Sequence, residues 1–341
     1  MKRALVTGGL GFVGTHLVDR LLSEGSQVTI VDSLISNVMQ PADFEASCRV
    51  IVGAIEDVAR DLFPPSHHFD EIYHLASVVG PAGVLKHSGE IARQVVTSGE
   101  AVVELALAHK ARLIEVSTSE VYGRAGTFRE TDSCIIPGRF TVRLEYAVAK
   151  LTSEIAAINR ARVTDLHVNI VRPFNIAGPR QLPGGGFVLP RFVIAALTGA
   201  PLTVFGTGQQ VRAFTDVRDI VTGLISVMRS PYRSRVFNLG NPANELSIME
   251  LAHRVREVVG SRSPVINVDP KTLFGPLYEE GFDKVPEDTR AREDLSWKPR
   301  YTLEDTIRDT MNWYSERPHM LTCTDEQEEE VLAEVMAGAR S

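Results

Sequence analysis

The stretch "ALVTGGLGFVGTHLVDRLLSEGSQVTIVD", residues 4–32, decides how the rest of the chain is read. It begins with a short apolar run, carries Phe12, Leu17, Leu21 and Leu22 at helical spacing, and ends on a second apolar run, "QVTIVD". Two such runs flanking an amphipathic segment spell a β-α-β unit. Gly8, Gly11 and Gly14 stand between the predicted strand and the predicted helix. There, Gly8 and Gly11 let the backbone turn tightly against a pyrophosphate, Gly14 allows close helix packing, and the free N–H groups of the helix start hold the anion. Asp32 ends the second strand about 20 residues after the turn, where a carboxylate accepts from both hydroxyls of an adenosine ribose and repels a 2′-phosphate. This predicts NAD rather than NADP as cofactor; the plainer alternative is an aspartate that caps the next loop.

The same rhythm continues through "DEIYHLAS", "EIARQVVTSGEAVVELALAHK", "RLIEVST", "YAVAKLTSEIAAINRA" and "LHVNIVRPFN". Apolar strands alternating with longer amphipathic helices imply an α/β fold, a Rossmann-type doubly wound parallel sheet, over residues 1–173. After "RPFNIAGPRQLPGGG" glycine and proline become dense and the rhythm breaks. Residues 174–210 and 236–320 are predicted to form a smaller α/β substrate-binding lobe, with 211–235 returning to the first domain. The acidic stretch 321–341 reads as a solvated helix or frayed end.

The chain has 341 residues, an apolar fraction of 44% and a formal net charge of -7. That is ample for a large core, and the acidic balance speaks against nucleic acid as a partner. Cys48, Cys134 and Cys323 are far apart and lack paired C-x-x-C spacing, so neither a disulfide framework nor a zinc site is suggested, and no metal is expected. Glycines interrupt the N-terminal apolar run before a signal-peptide core forms, and no apolar segment is long enough to span a bilayer. A cytoplasmic protein away from membranes is expected.

Two further stretches carry chemistry. "VSTSEVYG", residues 116–123, sets Thr118, Ser119 and Glu120 at the carboxyl end of a buried strand, where parallel sheets bind ligands. Polar residues that merely mark a strand end are the bland alternative. "YAVAK", residues 146–150, places Tyr146 and Lys150 on one helix face. An amine beside a phenol favours the phenolate, so the tyrosine is expected to ionise nearer neutrality and take a proton from a substrate alcohol.

Together "TGGLGFVG", "HLAS", "STSEVYG", "YAVAK" and "RPFNIAGPR" resemble the extended short-chain dehydrogenase/reductase family of NAD-dependent nucleotide-sugar epimerases, dehydratases and decarboxylases, over nearly the whole chain. The resemblance implies NAD contacts from Gly8, Gly11, Phe12, Val13, Gly14 and Asp32, and from Ile55, Leu75, Ala76 and Pro173. It implies that Thr118 shares a hydrogen bond with the sugar 4-hydroxyl, that Tyr146 is the base, and that Lys150 binds the nicotinamide ribose and tunes Tyr146. A homodimer through helices such as 91–110 and 146–161 is also implied.

"RPFNIAGPRQ", "PLTVFGTGQQVRAFTDVRD", "FNLGNPANELSI" and "LFGPLYEEGFDKVPED" resemble a narrower branch, the UDP-glucuronate decarboxylases of the UDP-xylose, UDP-apiose and aminoarabinose pathways. Arg143, three before Tyr146, fits that branch, since most epimerases carry Ser-Pro just before the tyrosine. The UDP-sugar contacts so implied are Arg143, Asn175, Arg180, Arg191, Val204, Arg212, Tyr278 and Lys284, with residues 203–205 bordering the uracil. Arginine suits phosphate because its rigid fork matches the oxygens, although each could be an ordinary ion pair.

In that branch a C4 ketone lies β to the C6 carboxylate, so carbon dioxide leaves as an enolate forms, and Ser119 and Glu120 position the carboxylated carbon and handle the proton returned to C5. Three departures stand out. "SVVGPAGVLKHSGE" lacks the tyrosine that usually holds the carboxylate, Lys284 stands where arginine is usual, and Ala54 replaces the usual adenine-binding aspartate. UDP-glucuronate decarboxylation is the leading expectation. A UDP-sugar 4-epimerase is the first alternative, followed by a 4,6-dehydratase and a non-catalytic nucleotide-binding protein.

Overall fold

The apolar runs pair as one seven-stranded parallel sheet in the order Val236–Leu239, His167–Pro173, Arg112–Val116, Glu71–His74, Arg3–Thr7, Gln27–Asp32, Arg49–Val52. This computed structural model describes residues 1–62, 68–274, 281 and 283–321. Tyr278, Cys323 and the acidic stretch after Leu321 lie outside the described residues.

Alternation along each strand explains why the sheet needs cover on both sides. Ala4 and Val6 face helices Phe12–Ser23 and Val217–Arg229 through Leu17, Leu21, Leu224 and Val227. Leu5, on the other face, packs with Val102, Ala106 and Ala157 of helices Ile91–His109 and Val142–Val163. Strands buried on both faces leave little room for polar side chains.

The sheet corrects one expected boundary. Residues 236–239 do not belong to the second lobe: Asn238 registers with Arg172, so they form the edge strand of the first sheet. The return segment is also split, because Val211–Ala213 pairs antiparallel with Glu245–Ser247 in a separate four-stranded sheet while Val217–Arg229 covers the large one. In the second lobe, helices Val188–Thr198, Ile248–Val259 and Leu303–Ser315 pack around Leu202 and Val204. The four-stranded sheet joins the two parts, since Gly126–Phe128 pairs with Lys284–Pro286 and Lys284 also registers with Arg212. No described helix is long and apolar enough to cross a membrane.

Helix Val142–Val163 carries Tyr146 and Lys150, and a buried ion pair anchors it. The Arg172 guanidinium donates to Glu154 through Nε at 2.9 Å and Nη2 at 2.6 Å, with both side chains nearly inaccessible. Removing one member leaves the other charged and without its partner in a low-dielectric interior. Glu154→Ala should therefore lower the unfolding free energy by about 3–5 kcal/mol, measured by urea denaturation; a loss below about 1 kcal/mol, the range of exposed pairs, would show that the pair does not anchor the helix.

Candidate functional site

A cleft of about 1080 Å³ runs across the carboxyl ends of the sheet strands, from Gly8 and Asp32 past Tyr146 to Arg191 and Lys284. Its first half is built by the glycine turn. Gly8 has φ +70°, and a Cβ on Gly14 would stand 2.1 Å from the Gly8 carbonyl oxygen. Only glycine lets the helix start approach the strand end this closely. No side chain caps helix Phe12–Ser23, so its first N–H groups face the cleft as anion donors.

Asp32 is buried, with one oxygen accepting from the Leu10 amide and the other from the Leu34 amide, each at 2.9 Å. Burial raises its carboxyl above the ordinary range, and the two amides oppose that rise. Each oxygen keeps a lone pair for a hydroxyl. Gly11, Phe12, Val13, Ile55, Leu75, Ala76 and Pro173 line the same half of the cleft, as expected of residues that would hold a dinucleotide. Ala54 lines it too, beside the buried Ile55, which offers an apolar face to a planar ring. The turn, the uncapped helix and the aspartate fit NAD.

The second half holds the chemistry. Thr118 caps the short 3-10 helix Ser119–Tyr122 and accepts from the Glu120 amide at 3.2 Å, which directs Ser119 and Glu120 into the cleft. Tyr146 and Lys150 line it from one face of their helix. The expected fall of the tyrosine toward neutrality is not found. Burial and then the Glu120 carboxylate hold the Tyr146 phenol above its ordinary value, against the Thr118 and Ser77 hydroxyls and Arg143, which lower it. Lys150 meanwhile donates to the Val116 carbonyl at 2.9 Å and lies 3.8 Å from Glu115.

Glu120 is the meeting point of the positive charges. Arg143 donates to its Oε1 at 2.7 Å, and Lys284 donates to the same oxygen. Arg212, beside Lys284 in the sheet, donates to the Gly281 carbonyl at 2.7 Å. Burial would raise the Glu120 carboxyl, but Lys284, Arg143 and Arg212 outweigh it and hold it at about 2. Burial likewise pushes the Lys284 ammonium down to about 8; Glu120 resists this, while Arg143 and Arg212 reinforce it.

The other expected substrate contacts divide. Asn175, at φ +37°, lines the cleft and donates to the Ala213 carbonyl at 3.2 Å. Arg191 lines it with its guanidinium 4.1 Å from the Phe205 ring centroid and donating to the Thr203 hydroxyl. Val204 does not reach the cleft: strand alternation turns it into the lobe core and presents Thr203 and Phe205 instead. Arg180 is also not a lining residue, because it pairs with Asp19 of the glycine-turn helix at 2.7 Å. Sequence reasoning gave no role to Ser77 or to Glu115. The signal for Glu115 was present as a carboxylate inside the apolar run "RLIEV".

The model of the NAD dependent epimerase/dehydratase family matches residues 4–240. The chain is 32% identical over 92% of its length to a UDP-N-acetyl-alpha-D-glucosaminuronate decarboxylase of Bacillus cytotoxicus, covering 98% of that protein. It is 31% identical over 92% of its length to UDP-glucuronic acid decarboxylase 1 of Xenopus tropicalis, covering 72% of that protein. Among solved structures, the UDP-glucose 4-epimerase of Thermotoga maritima with UDP-glucose superposes with a TM-score of 0.81 at 26% identity, over 92% of this chain and 99% of the other.

The Glu120 cluster has a measurable signature. Its carboxyl sits at about 2, below the ordinary 4.5, so the stability it contributes is complete above about pH 4.5 and is lost as pH falls through about 2. Glu120→Gln should be less stable than wild type at pH 7, with the gap narrowing as urea denaturation is repeated at progressively lower pH. A gap independent of pH would contradict this charge assignment.

Proposed function

The chain belongs to the NAD dependent epimerase/dehydratase family, and from that membership and the site's charge we propose that it oxidises a UDP-linked hexuronate at C4 and releases C6 as carbon dioxide. One observation carries the choice of a uronate. Lys284, a buried ammonium that lines the cleft, has three N–H donors and gives one to Glu120. A buried ammonium with donors to spare is costly when it faces a neutral sugar and is relieved by an anionic one. UDP-glucuronate is the leading substrate, and the relative from Bacillus cytotoxicus makes the 2-acetamido hexuronate the second to try.

Residue roles follow from placement. The glycine turn and Asp32 hold the cofactor; bound NAD supplies a hydride acceptor and a positively charged ring. Tyr146 takes the proton of the C4 hydroxyl, and Thr118 shares that hydrogen bond. The resulting ketone lies β to the C6 carboxylate, which Lys284 and Arg143 hold alongside Glu120; an ammonium has three N–H donors, and Glu120 takes one. Carbon dioxide leaves with both electrons of its bond passing to C5 as the enolate. Glu120, held at about 2, carries no proton near neutrality, so its part is to orient the two cations rather than to protonate C5. Lys284, at about 8, is the group there with a proton to give. Arg191, Asn175 and Arg212 serve the diphosphate. A homodimer belongs to the same reading, with Ile155 and Val163 exposed on helix Val142–Val163.

A 4-epimerase is the second reading. It is favoured by the loop after strand Glu71–His74, which presents Val78, Val79 and Ala82 to the cleft where the decarboxylase branch usually has a tyrosine.

Binding separates a uronate site from a neutral-sugar site. At pH 7 UDP-glucuronate should bind at least tenfold more tightly than UDP-glucose in calorimetric titration with NAD present, and Lys284→Met should erase the preference. Because Lys284 is charged below about 8, the preference should weaken as pH rises above that value. Equal affinities at pH 7 would contradict the uronate assignment. Tyr146→Phe should lower turnover by about 10²–10⁴-fold with NAD affinity changed by less than about threefold; retained turnover would remove Tyr146 as the base.

A further inference from the structure

Strand Arg112–Val116 carries a carboxylate where its neighbours are apolar. Glu115 is buried beneath the cleft, its Oε1 3.8 Å from the Lys150 ammonium and accepting from the Ser153 hydroxyl at 3.4 Å. Its Oε2 lies 3.9 Å from His74 on the adjacent strand. His74 is itself tied to the Thr7 hydroxyl at 2.7 Å and to Ser98 at 3.4 Å. The remaining charges nearby are those of Glu154 and its partner Arg172.

We propose that Glu115 is a positioning residue for the reaction, a buried counter-ion that fixes the Lys150 ammonium beside the carboxyl end of strand Arg112–Val116. The inference rests on the reading of Tyr146 and Lys150 as the reacting pair. A lysine buried as Lys150 is would shed its proton without an anion at this distance, and the Val116 carbonyl alone supplies only a dipole. His74 cannot substitute for the anion, since burial and the charge of Lys150 keep it neutral down to about 3. Glu154 is already committed to Arg172 by three hydrogen bonds. Burial lowers the Lys150 value, and Glu115 is the largest influence that raises it.

Glu115 itself titrates near neutrality, because burial raises its carboxyl to about 7 against the pull of Lys150, with Glu154 adding to the rise and Ser153 opposing it. Above that pH the anion compensates Lys150. Replacing Glu115 by Gln should then displace the alkaline limb of activity to lower pH, because Lys150 deprotonates earlier.

The test follows Lys150 directly by carbon-13 NMR of lysine Cε in the full-length protein, with Lys150→Met identifying the signal. In Glu115→Gln the Lys150 midpoint should fall by about one pH unit or more, and the alkaline limb of kcat should fall with it. Glu115→Asp, which keeps the charge, should restore most of both. A Glu115→Gln midpoint equal to wild type would overturn the proposal, as would an unshifted limb. Should the Gln variant not fold, Glu115→Leu, which matches the apolar neighbours in the strand, takes its place with the same fall expected and the same unchanged midpoint overturning the proposal. Tyr146→Phe separates this from the parent reading, since its retained turnover defeats the pair itself, whereas an inactive Tyr146→Phe with an unmoved Lys150 midpoint defeats Glu115 alone.

Discussion

A parallel sheet buried on both faces has one place to put chemistry, the ends of its strands. Here the constraint falls on strand Arg3–Thr7, which lies between Gln27–Asp32 on one side and Glu71–His74 on the other. The chain winds outward from it in one direction and then in the other, so a crevice opens above its carboxyl end. Gly8, Asp32, Ala76 and Thr118 are the residues that follow or finish these strands, and each lines that crevice. The second lobe closes it from above by sending Lys284 and Arg212 down on a small sheet that also takes in Gly126–Phe128. The hinge of function is thus a matter of topology first and residue choice second.

Charge then shapes the cleft. Three buried or half-buried groups of opposite charges lie in or beneath it. Arg172 with Glu154 is a closed pair that holds a helix. Lys150 with Glu115 is closed but loose, at 3.8 Å and without a direct hydrogen bond. Glu120 is shared by Lys284 and Arg143, which donate to the same oxygen, and the anionic group of the proposed substrate would join them there.

How much of this was legible in the sequence depends on the range of the interaction. The glycine turn, Asp32 and the pair Tyr146 and Lys150 are local patterns, and the structure sets all of them on the cleft. Val204 was misread because a strand turns alternate residues to opposite sides, and only its packing on Leu251 and Leu303 shows which side is the core. Arg180 was expected among the UDP-sugar contacts from the motif resemblance, and an aspartate far away in sequence claims it. The bond between Lys284 and Glu120 spans 164 positions, beyond the reach of any local pattern. The fall expected of the Tyr146 value failed for a related reason: the spacing to Lys150 was visible, but the burial and the Glu120 charge that raise it come from other elements.

If the proposed reaction is right, C6 of the sugar is lost, and the fate of that carbon tests it. UDP-glucuronate carrying carbon-13 at C6 is incubated with the protein and NAD in deuterated water and followed by NMR. Labelled carbon dioxide and bicarbonate are expected, together with a UDP-linked pentose or its 4-ketone carrying deuterium at C5. Label that remains in the sugar, as UDP-galacturonate or unchanged substrate after the 2-acetamido analogue has also been tried, would contradict it.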